Sequence, residues 1–159
     1  MYKMIRNFVF LLISLALVFI WFSNNQPVAD KQATATLSGN ITNKRNAQNC
    51  LDLLKKNLTA ATEKKLEVYL ATLSEKAQEA TKTELSRVYD SYELVHELIA
   101  FKVLKQKPDS LFAEAFQWTS NAGNARYQNH ITQIHYTFML ETGEWKITDA
   151  VITNIELVN

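Results

Sequence analysis

The sequence predicts an α+β domain in which three helices pack on a strongly bent, four-stranded antiparallel sheet, behind an N-terminal transmembrane helix. Three observations lead to this fold class. An apolar run lies near the N-terminus, apolar residues recur at the helical period from residue 44 to 92, and they recur at the strand period of two from residue 94 onward. Strands with one apolar face need a cover, and the helices supply it.

The apolar run is the segment Phe8–Phe22, fifteen residues long. Lys3 and Arg6 precede it, and no charged residue follows it before Asp30. The positive-inside rule therefore places the N-terminus in the cytoplasm and the rest of the chain outside it. Counted from Met4 to Phe22, the segment has nineteen residues and reaches ~28 Å as a helix, which is just enough to span the hydrocarbon core of a bilayer.

The apolar run has two possible fates, a retained single-pass anchor or a cleaved secretory signal. It ends in Trp21 and Phe22, bulky residues that suit a membrane interface, and the small-x-small triplet Ala33–Ala35 comes late for signal cleavage. These features favour the anchor, with a secreted or periplasmic protein as the alternative. The chain then divides into an anchor or signal segment, a flexible tether of small and polar residues, and an α+β domain: residues 1–23, 24–43 and 44–159.

Composition excludes some classes of function. The chain has 17 Lys and Arg residues against 16 Asp and Glu residues, and two of the basic residues, Lys3 and Arg6, precede the apolar run. Because the outer part then carries no excess of positive charge, we expect no nucleic-acid partner. Cys50 is the only cysteine, and its place on an apolar helix face is typical of a small buried hydrophobic residue.

Three amphipathic helices are predicted. The first covers Lys44–Asn57, and the second covers Glu63–Leu73 with Thr62 as its N-cap. The third begins at the capping-box sequence Thr81–Glu84 and ends near Tyr92. The apolar stripe of the first helix consists of Ala47, Cys50, Leu51, Leu54 and Leu58.

Four strands are predicted after these helices, because the apolar period changes toward two. Turn residues separate them at Pro108–Ser110, Asn121–Asn124 and Thr142–Gly143. The strands cover Leu94–Lys107, Leu111–Ser120, Tyr127–Glu141 and Glu144–Val158.

Parts of the chain resemble a known superfamily. The segment Glu67–Leu73, the later Tyr92–Leu94 and the closing hairpin Ile134–Asp149 are similar to the nuclear-transport-factor-2-like (NTF2-like), or SnoaL-like, proteins. In that hairpin an apolar strand turns through Gly143 into Trp145, Lys146 and Ile147. The resemblance covers Lys44–Leu157. It implies a cone-shaped α+β fold with a pocket between sheet and helices, which serves isomerases, dehydratases and cyclases in some branches and only binding or assembly in others.

Seven residues are candidates for a site in such a pocket. The ligand-pocket candidates are Tyr89, Tyr92, Phe116, Trp118 and Tyr136, and the alternative for this aromatic set is ordinary core packing. Asp149 and His135 are the acid–base candidates. Asp149 has the strand parity of the core residues Trp145 and Ile147, whereas His135 alternates with its apolar neighbours. The alternatives are a paired carboxylate at the sheet rim and a surface histidine.

The remaining chemistry-bearing residues form no recognised motif. His96 and His130 have no partner at metal-ligand spacing, and the sequence holds no Gly-rich phosphate loop or Cys/His cluster. We therefore expect no metal and no cofactor.

The leading hypothesis is a membrane-tethered, extracytoplasmic domain that binds a partner protein or a small apolar ligand without catalysis. One alternative is an isomerase- or dehydratase-type enzyme that uses Asp149 or His135. The other is an oligomerising structural component, with a homodimer formed through the exposed face of the sheet.

Overall fold

The computed structural model describes residues 35–158. The predicted anchor at Phe8–Phe22 lies outside the described residues. Within residues 35–158, no helix has the length and apolar character needed to cross a membrane. The elements in chain order are β1 (Leu37–Gly39), α1 (Lys44–Thr62), α2 (Leu66–Ala71), α3 (Glu75–Ser91), β2 (Leu94–Gln106), β3 (Ser110–Asn121), β4 (His130–Glu141) and β5 (Glu144–Leu157).

Helix α1 begins where predicted. Its N-cap is Asn43, whose side-chain oxygen accepts a hydrogen bond from the Asn46 N–H at 3.0 Å. The side chain of Gln106 holds the same turn, since its Oε1 accepts the Thr42 and Asn43 N–H groups at 2.9 and 3.1 Å. The whole predicted apolar stripe is buried, and the helix continues beyond the predicted end at Asn57.

The predicted starts of the second and third helices are wrong. Thr62 is the last residue of α1, and its hydroxyl accepts a hydrogen bond from the His96 N–H at 2.9 Å instead of capping a new helix. Thr81 lies inside α3, where its hydroxyl donates to the Ala77 carbonyl at 2.7 Å. The N-cap of α3 is Ser74. Good helix formers follow Ser74 directly, so the helix is already established before it reaches the capping-box sequence.

The sheet has five strands in the order β1-β2-β3-β4-β5. Strands β2 to β5 are antiparallel, as predicted, but β1 pairs in parallel with β2, with Leu37 opposite Phe101 and Gly39 opposite Val103. The sheet is therefore mixed and five-stranded, and the prediction of four antiparallel strands is wrong. Strand β1 lies inside the range 24–43 assigned to the tether, and its three residues are too few to show a period of two.

Two bulges shape β5. Thr148 and Thr153 are extra residues against β4, because Thr137 and Phe138 pair with Asp149 and Ile147, while Gln133 and Ile134 pair with Asn154 and Ile152. Strand β2 carries two similar register shifts. Each bulge bends the strand and reverses which face its later residues point to. The sheet thus has an inner face against the helices and an outer face away from them.

The core lies between α1 and the inner face. Leu51 and Leu54 of α1 and Phe101 and Phe138 of the sheet are fully buried, and the two phenylalanine rings meet edge to face with centroids 6.0 Å apart. Cys50 is buried beside them, and burial raises the pKa of its thiol to about 12. The cysteine therefore packs as an uncharged apolar residue.

The β1–β2 contact depends on Gly39. This glycine has φ of +93°, and a Cβ at this position would lie 2.2 Å from the Val103 carbonyl oxygen. Gly143 has a similar φ of +87° but open space around it.

We expect Gly143→Ala to lower the free energy of unfolding by about 1–2 kcal/mol, because alanine is strained at positive φ. Gly39→Ala should lower it by about 1–3 kcal/mol more, because of the added clash.

Urea unfolding of both variants, followed by tryptophan fluorescence, measures the difference. Equal losses of stability in Gly39→Ala and Gly143→Ala would contradict the close packing of β1 on β2.

Candidate functional site

The inner face changes from apolar to polar at one end of the sheet. There His96 of β2 lies opposite Thr119 of β3, and Thr119 lies opposite His130 of β4. We call these three residues the polar row. Thr119 and His130 are buried, His96 is partly buried, and the neighbouring Gln117 and Thr132 on the same face are buried as well. A group of hydrogen-bonding side chains therefore lies under the helices where the apolar core ends.

Hydrogen bonds fix the rings of the polar row. His96 Nδ1 lies 3.1 Å from the Thr119 hydroxyl, and His130 Nδ1 donates to the Gln128 carbonyl at 3.0 Å. Because a carbonyl oxygen only accepts, His130 Nδ1 carries the proton in this bond. The other ring nitrogen of His130 is Nε2. Among the described residues, no side chain is hydrogen-bonded to this Nε2.

Within the polar row, His96 is uncharged at neutral pH. Two causes lower the pKa of His96 to about 4. Burial is the larger, and the nearby His130 is the smaller. Within residues 35–158, no carboxylate, lysine or arginine is hydrogen-bonded to the row. His96 and Thr119 can therefore exchange hydrogen bonds with a neutral group, but they offer no charge to pair with an ion.

One tyrosine joins the polar end to the core. The Tyr136 hydroxyl accepts a hydrogen bond from the side-chain amide of Gln117, and both residues are buried. Burial and the nearby Tyr69 raise the pKa of Tyr136. The hydrogen bond from Gln117 lowers this pKa by a smaller amount. The hydroxyl therefore stays protonated at neutral pH.

Two further tyrosines pack beside the His130 end of the polar row. The ring of Tyr127, from the β3–β4 loop, lies between Tyr92 and His130, with centroid distances of 5.5 and 5.7 Å. The Tyr127 hydroxyl oxygen is buried and has no hydrogen-bond partner among the described residues. A buried hydroxyl without a partner is rare in folded proteins, so this atom is an exception within the described residues.

The structure divides the predicted pocket residues between the two faces. Tyr136 lies on the inner face, Tyr92 contacts Tyr127 beside the polar row, and Tyr89 packs against the core. Phe116 and Trp118 lie on the outer face and do not line the inner pocket. The reason is that the inward positions of β3 hold small residues such as the buried Ala113 and Ala115, so the large aromatic residues alternate outward.

Both predicted acid–base residues also lie on the outer face. The extra residue at Thr148 shifts the alternation of faces along β5 by one position. Ala150 therefore points into the core, and Asp149 points away from it. The Asp149 carboxylate accepts the Ala150 N–H at 3.0 Å.

His135 is held by outer-face neighbours. Its Nε2 lies 3.4 Å from a Glu114 carboxylate oxygen, and its ring meets Phe112 edge to face at 5.2 Å. Neither His135 nor Asp149 faces the polar row, which corrects the expectation that one of them lies in the cone.

Sequence reasoning missed the polar row because its members are far apart along the chain. His96 and His130 have no partner at fixed spacing, and only the pairing of β2, β3 and β4 brings them together. The available signal was the β3–β4 hairpin itself, since a correct register across its loop places Thr119 opposite His130.

A bent sheet with helices on its inner face is the architecture of the cystatin-like, NTF2-like α+β fold. The chain belongs to the family of the C-terminal domain of the anti-sigma-I factor RsgI9, whose family model matches residues 52–158. No curated protein matches the chain in sequence.

Three solved structures share the fold. A protein of unknown function with a cystatin-like fold from Nostoc punctiforme is 12% identical with a TM-score of 0.61, over 73% of this chain and 93% of that one. A putative aromatic ring hydroxylase from Novosphingobium aromaticivorans is 12% identical with a TM-score of 0.61, over 70% and 92% of the two chains. Bd1075 from Bdellovibrio bacteriovorus is 11% identical with a TM-score of 0.58, over 69% and 41%. At these identities the likeness concerns the fold alone.

The lowered pKa of His96 predicts an acid-sensitive fold. The folded protein keeps this ring neutral down to a pH of about 4, whereas the unfolded chain binds the proton near the ordinary histidine pKa of 6.5. The free energy of unfolding is therefore highest above pH 6.5. It falls by about 2–3 kcal/mol in total as the pH falls toward 4, because the unfolded chain binds a proton that the folded ring does not.

Urea unfolding at a series of pH values tests this contribution. His96→Gln should lose less stability between pH 6.5 and 4 than the natural protein, whereas the outer-face control His135→Gln should behave like the natural protein. An unchanged pH dependence in His96→Gln would contradict the burial of this ring as the cause.

Proposed function

We propose that this chain is a membrane-tethered, extracytoplasmic domain that binds a small, uncharged, largely apolar ligand at the polar row, without catalysis. The observation that carries the proposal is the polar row itself, together with the partnerless hydroxyl of Tyr127 above it. Pockets that bind small molecules are mostly apolar with a few placed hydrogen-bonding groups. The end of this inner face has that composition, since Leu94 and Leu98 lie buried beside the row.

The location rests on the sequence. The apolar run Phe8–Phe22 follows Lys3 and Arg6, which favours a retained anchor with the domain outside the cytoplasm. Mass spectrometry of the native protein distinguishes the two fates, because a mature start near Thr36 would mean a cleaved signal.

The family suggests a regulatory setting. Its name describes an anti-sigma-I factor, and the matched part is the C-terminal domain. A domain that senses a ligand needs to bind it but does not need to convert it. We propose that this domain supplies ligand binding to a regulatory protein.

The groups in the polar row favour binding over catalysis. A general base works best with a pKa near the operating pH, whereas the pKa of His96 is lowered to about 4. The predicted acid–base residues Asp149 and His135 lie on the outer face. Neither Asp149 nor His135 therefore supplies the inward-facing group that the isomerase or dehydratase alternative assigned to it.

Binding can be tested with a pair of fluorescent probes that differ in charge. We expect the purified full-length chain to bind 2-naphthol, a neutral aromatic alcohol, and to leave naphthalene-2-sulfonate unbound, because His96 and Thr119 offer hydrogen bonds but no cation. Thr119→Val should weaken the binding of 2-naphthol about two- to tenfold, since it removes one hydroxyl from the row.

Thr137→Val is the matched control, because Thr137 lies on the outer face of β4. It should leave the affinity for 2-naphthol unchanged. Binding of the sulfonate, or equal loss in both threonine variants, would contradict the proposed site.

The outer face favours a second candidate, self-association. Phe112, Met139 and Val151 are 36%, 42% and 36% exposed there. Lys105 on the β2 side of this face lies at the same level of the sheet as Asp149 on the β5 side. A two-fold axis parallel to the strands would lay β2 of one copy over β5 of the other, so Lys105 of each copy would meet Asp149 of the second copy. We propose a homodimer through this face.

Sedimentation velocity of the full-length chain in detergent tests the homodimer. The natural protein should sediment as a dimer, and Phe112→Glu should sediment as a monomer, because the substitution buries a charge at the centre of the contact. Val68→Glu is the control, since Val68 is exposed on α2. A monomeric natural protein would refute the homodimer.

A further inference from the structure

Strand β5 forms one edge of the sheet, and most of this edge is unpaired. At its start, the Ile147 N–H donates to the Thr72 carbonyl at 2.9 Å, and the Ile147 carbonyl accepts the Ser74 N–H at 3.0 Å. Beyond Ile147, no segment of the described residues other than β4 pairs with β5. We call residues 149–157 the β5 edge. A further strand could therefore pair there without displacing one that the structure describes.

The pairing with β4 shows which backbone groups of the β5 edge point outward. In an antiparallel pair, the N–H and C=O groups of successive residues point alternately toward and away from the partner strand. At Ile147 these groups point away from β4, and at Val158 the N–H points toward the Asn129 carbonyl at the start of β4. Counting along β4 from either end gives the same outward residues, which are Ala150, Ile152, Ile155 and Leu157.

The β5 edge carries few of the features that protect natural edge strands. Such strands usually hold charged side chains, proline or bulges. The β5 edge has one bulge residue, Thr153, and the Asp149 carboxylate occupies one outward group, the Ala150 N–H, at 3.0 Å. Between Asp149 and Glu156 it has no charged residue and no proline. Apart from Ala150, its outward residues are therefore not blocked by a side chain of the described residues.

The side chains of the β5 edge indicate which strand fits beside it. The outward residues are apolar and lie on the inner face, and Leu157 among them is 43% exposed. Asp149 and Glu156 lie on the outer face, near the two ends of the edge. Apolar side chains pack on apolar neighbours of the next strand, and opposite charges attract there. A fitting strand therefore alternates apolar residues with others and has a basic residue near each end.

We propose that the β5 edge binds an extended segment of a partner protein as a sixth strand, antiparallel to β5, with this apolar alternation and these two basic residues. The backbone hydrogen bonds would supply affinity and the side-chain pattern selectivity, as in other cases of β-strand addition. The antiparallel direction follows from its slightly better pairing per residue. The inference does not depend on a ligand at the polar row.

A second copy of the β5 edge is a poorer occupant. The edge holds two carboxylates, Asp149 and Glu156, and no lysine or arginine. Pairing it with itself would bring four carboxylates to one seam without a cation between them, and like charges on neighbouring strands are destabilising. The charge of the edge therefore favours a basic segment of another protein.

Isothermal titration of the full-length chain in nonionic detergent with the synthetic peptide Val-Lys-Val-Thr-Val-Thr-Val-Lys tests the proposal. Its lysines are six residues apart, which matches Asp149 and Glu156 when Thr153 stays unpaired. We expect this peptide to bind and the same peptide with both lysines replaced by glutamate not to bind. Methylating the amide nitrogens of its second and third valines should weaken binding about tenfold or more, because these amides can then no longer donate to the edge.

Glu156→Lys tests the charge selectivity. It should weaken binding of the lysine peptide about three- to tenfold, because an attraction between neighbouring strands becomes a repulsion. Glu97→Lys is the matched control. Glu97 is exposed on β2 at the same level of the outer face as Glu156, so the net charge changes equally far from the β5 edge. It should bind the peptide as the natural protein does.

Three results would overturn the proposal. They are no binding of the lysine peptide to the natural protein, unchanged binding of the methylated peptide, and equal losses in Glu156→Lys and Glu97→Lys. Ile155→Pro decides between the occupants, because it removes an outward N–H and leaves the pairing with β4 intact. We expect it to abolish peptide binding. If the natural protein ignored the peptide and Ile155→Pro abolished its self-association in sedimentation velocity, the edge would bind a second copy and the proposal would be wrong.

Discussion

The packing of α1 on the inner face of the sheet is the constraint on which the rest of the molecule depends. Its apolar stripe meets Phe101 and Phe138, and each fully buried side chain of this size contributes about 1.5–3 kcal/mol. The stripe ends at Leu58 and Ala61, and the next residue, Thr62, binds the His96 N–H. Where the apolar cover of α1 stops, the sheet turns polar, and the position of the candidate site follows from the length of one helix.

Much of this arrangement could be predicted from the sequence, because period is a local property. The stripe of α1, the α+β class and the four antiparallel strands follow from spacing alone. Strand β1 could not be predicted, since three residues carry no period. The capping-box sequence at Thr81 misled for a related reason. A capping sequence marks the start of a helix only where no helix has already begun. Helix α3 begins directly after Ser74, so Thr81 lies inside it.

The candidate site was harder to predict, because it depends on faces and registers. Asp149 has the parity of Ile147 by counting, but one extra residue at Thr148 turns it outward. Phe116 and Trp118 looked like pocket residues because large aromatic side chains usually lie inside. Which face is inside is decided by where the helices pack, and this is not a property of β3 alone. The polar row needs three strands in register, so no short stretch of sequence contains it.

The parallel pairing of β1 with β2 has a mechanical consequence. Chain that precedes Ala35 enters the domain at β1, beside Phe101 to Val103, and Gln106 of the same β2 then clamps the turn at Asn43. Tension on the N-terminal side is therefore carried by β2 before it reaches the rest of the sheet. The strand that bears this load is also the strand that holds His96. A pull on the chain at β1 and a change at the polar row thus act on one and the same strand.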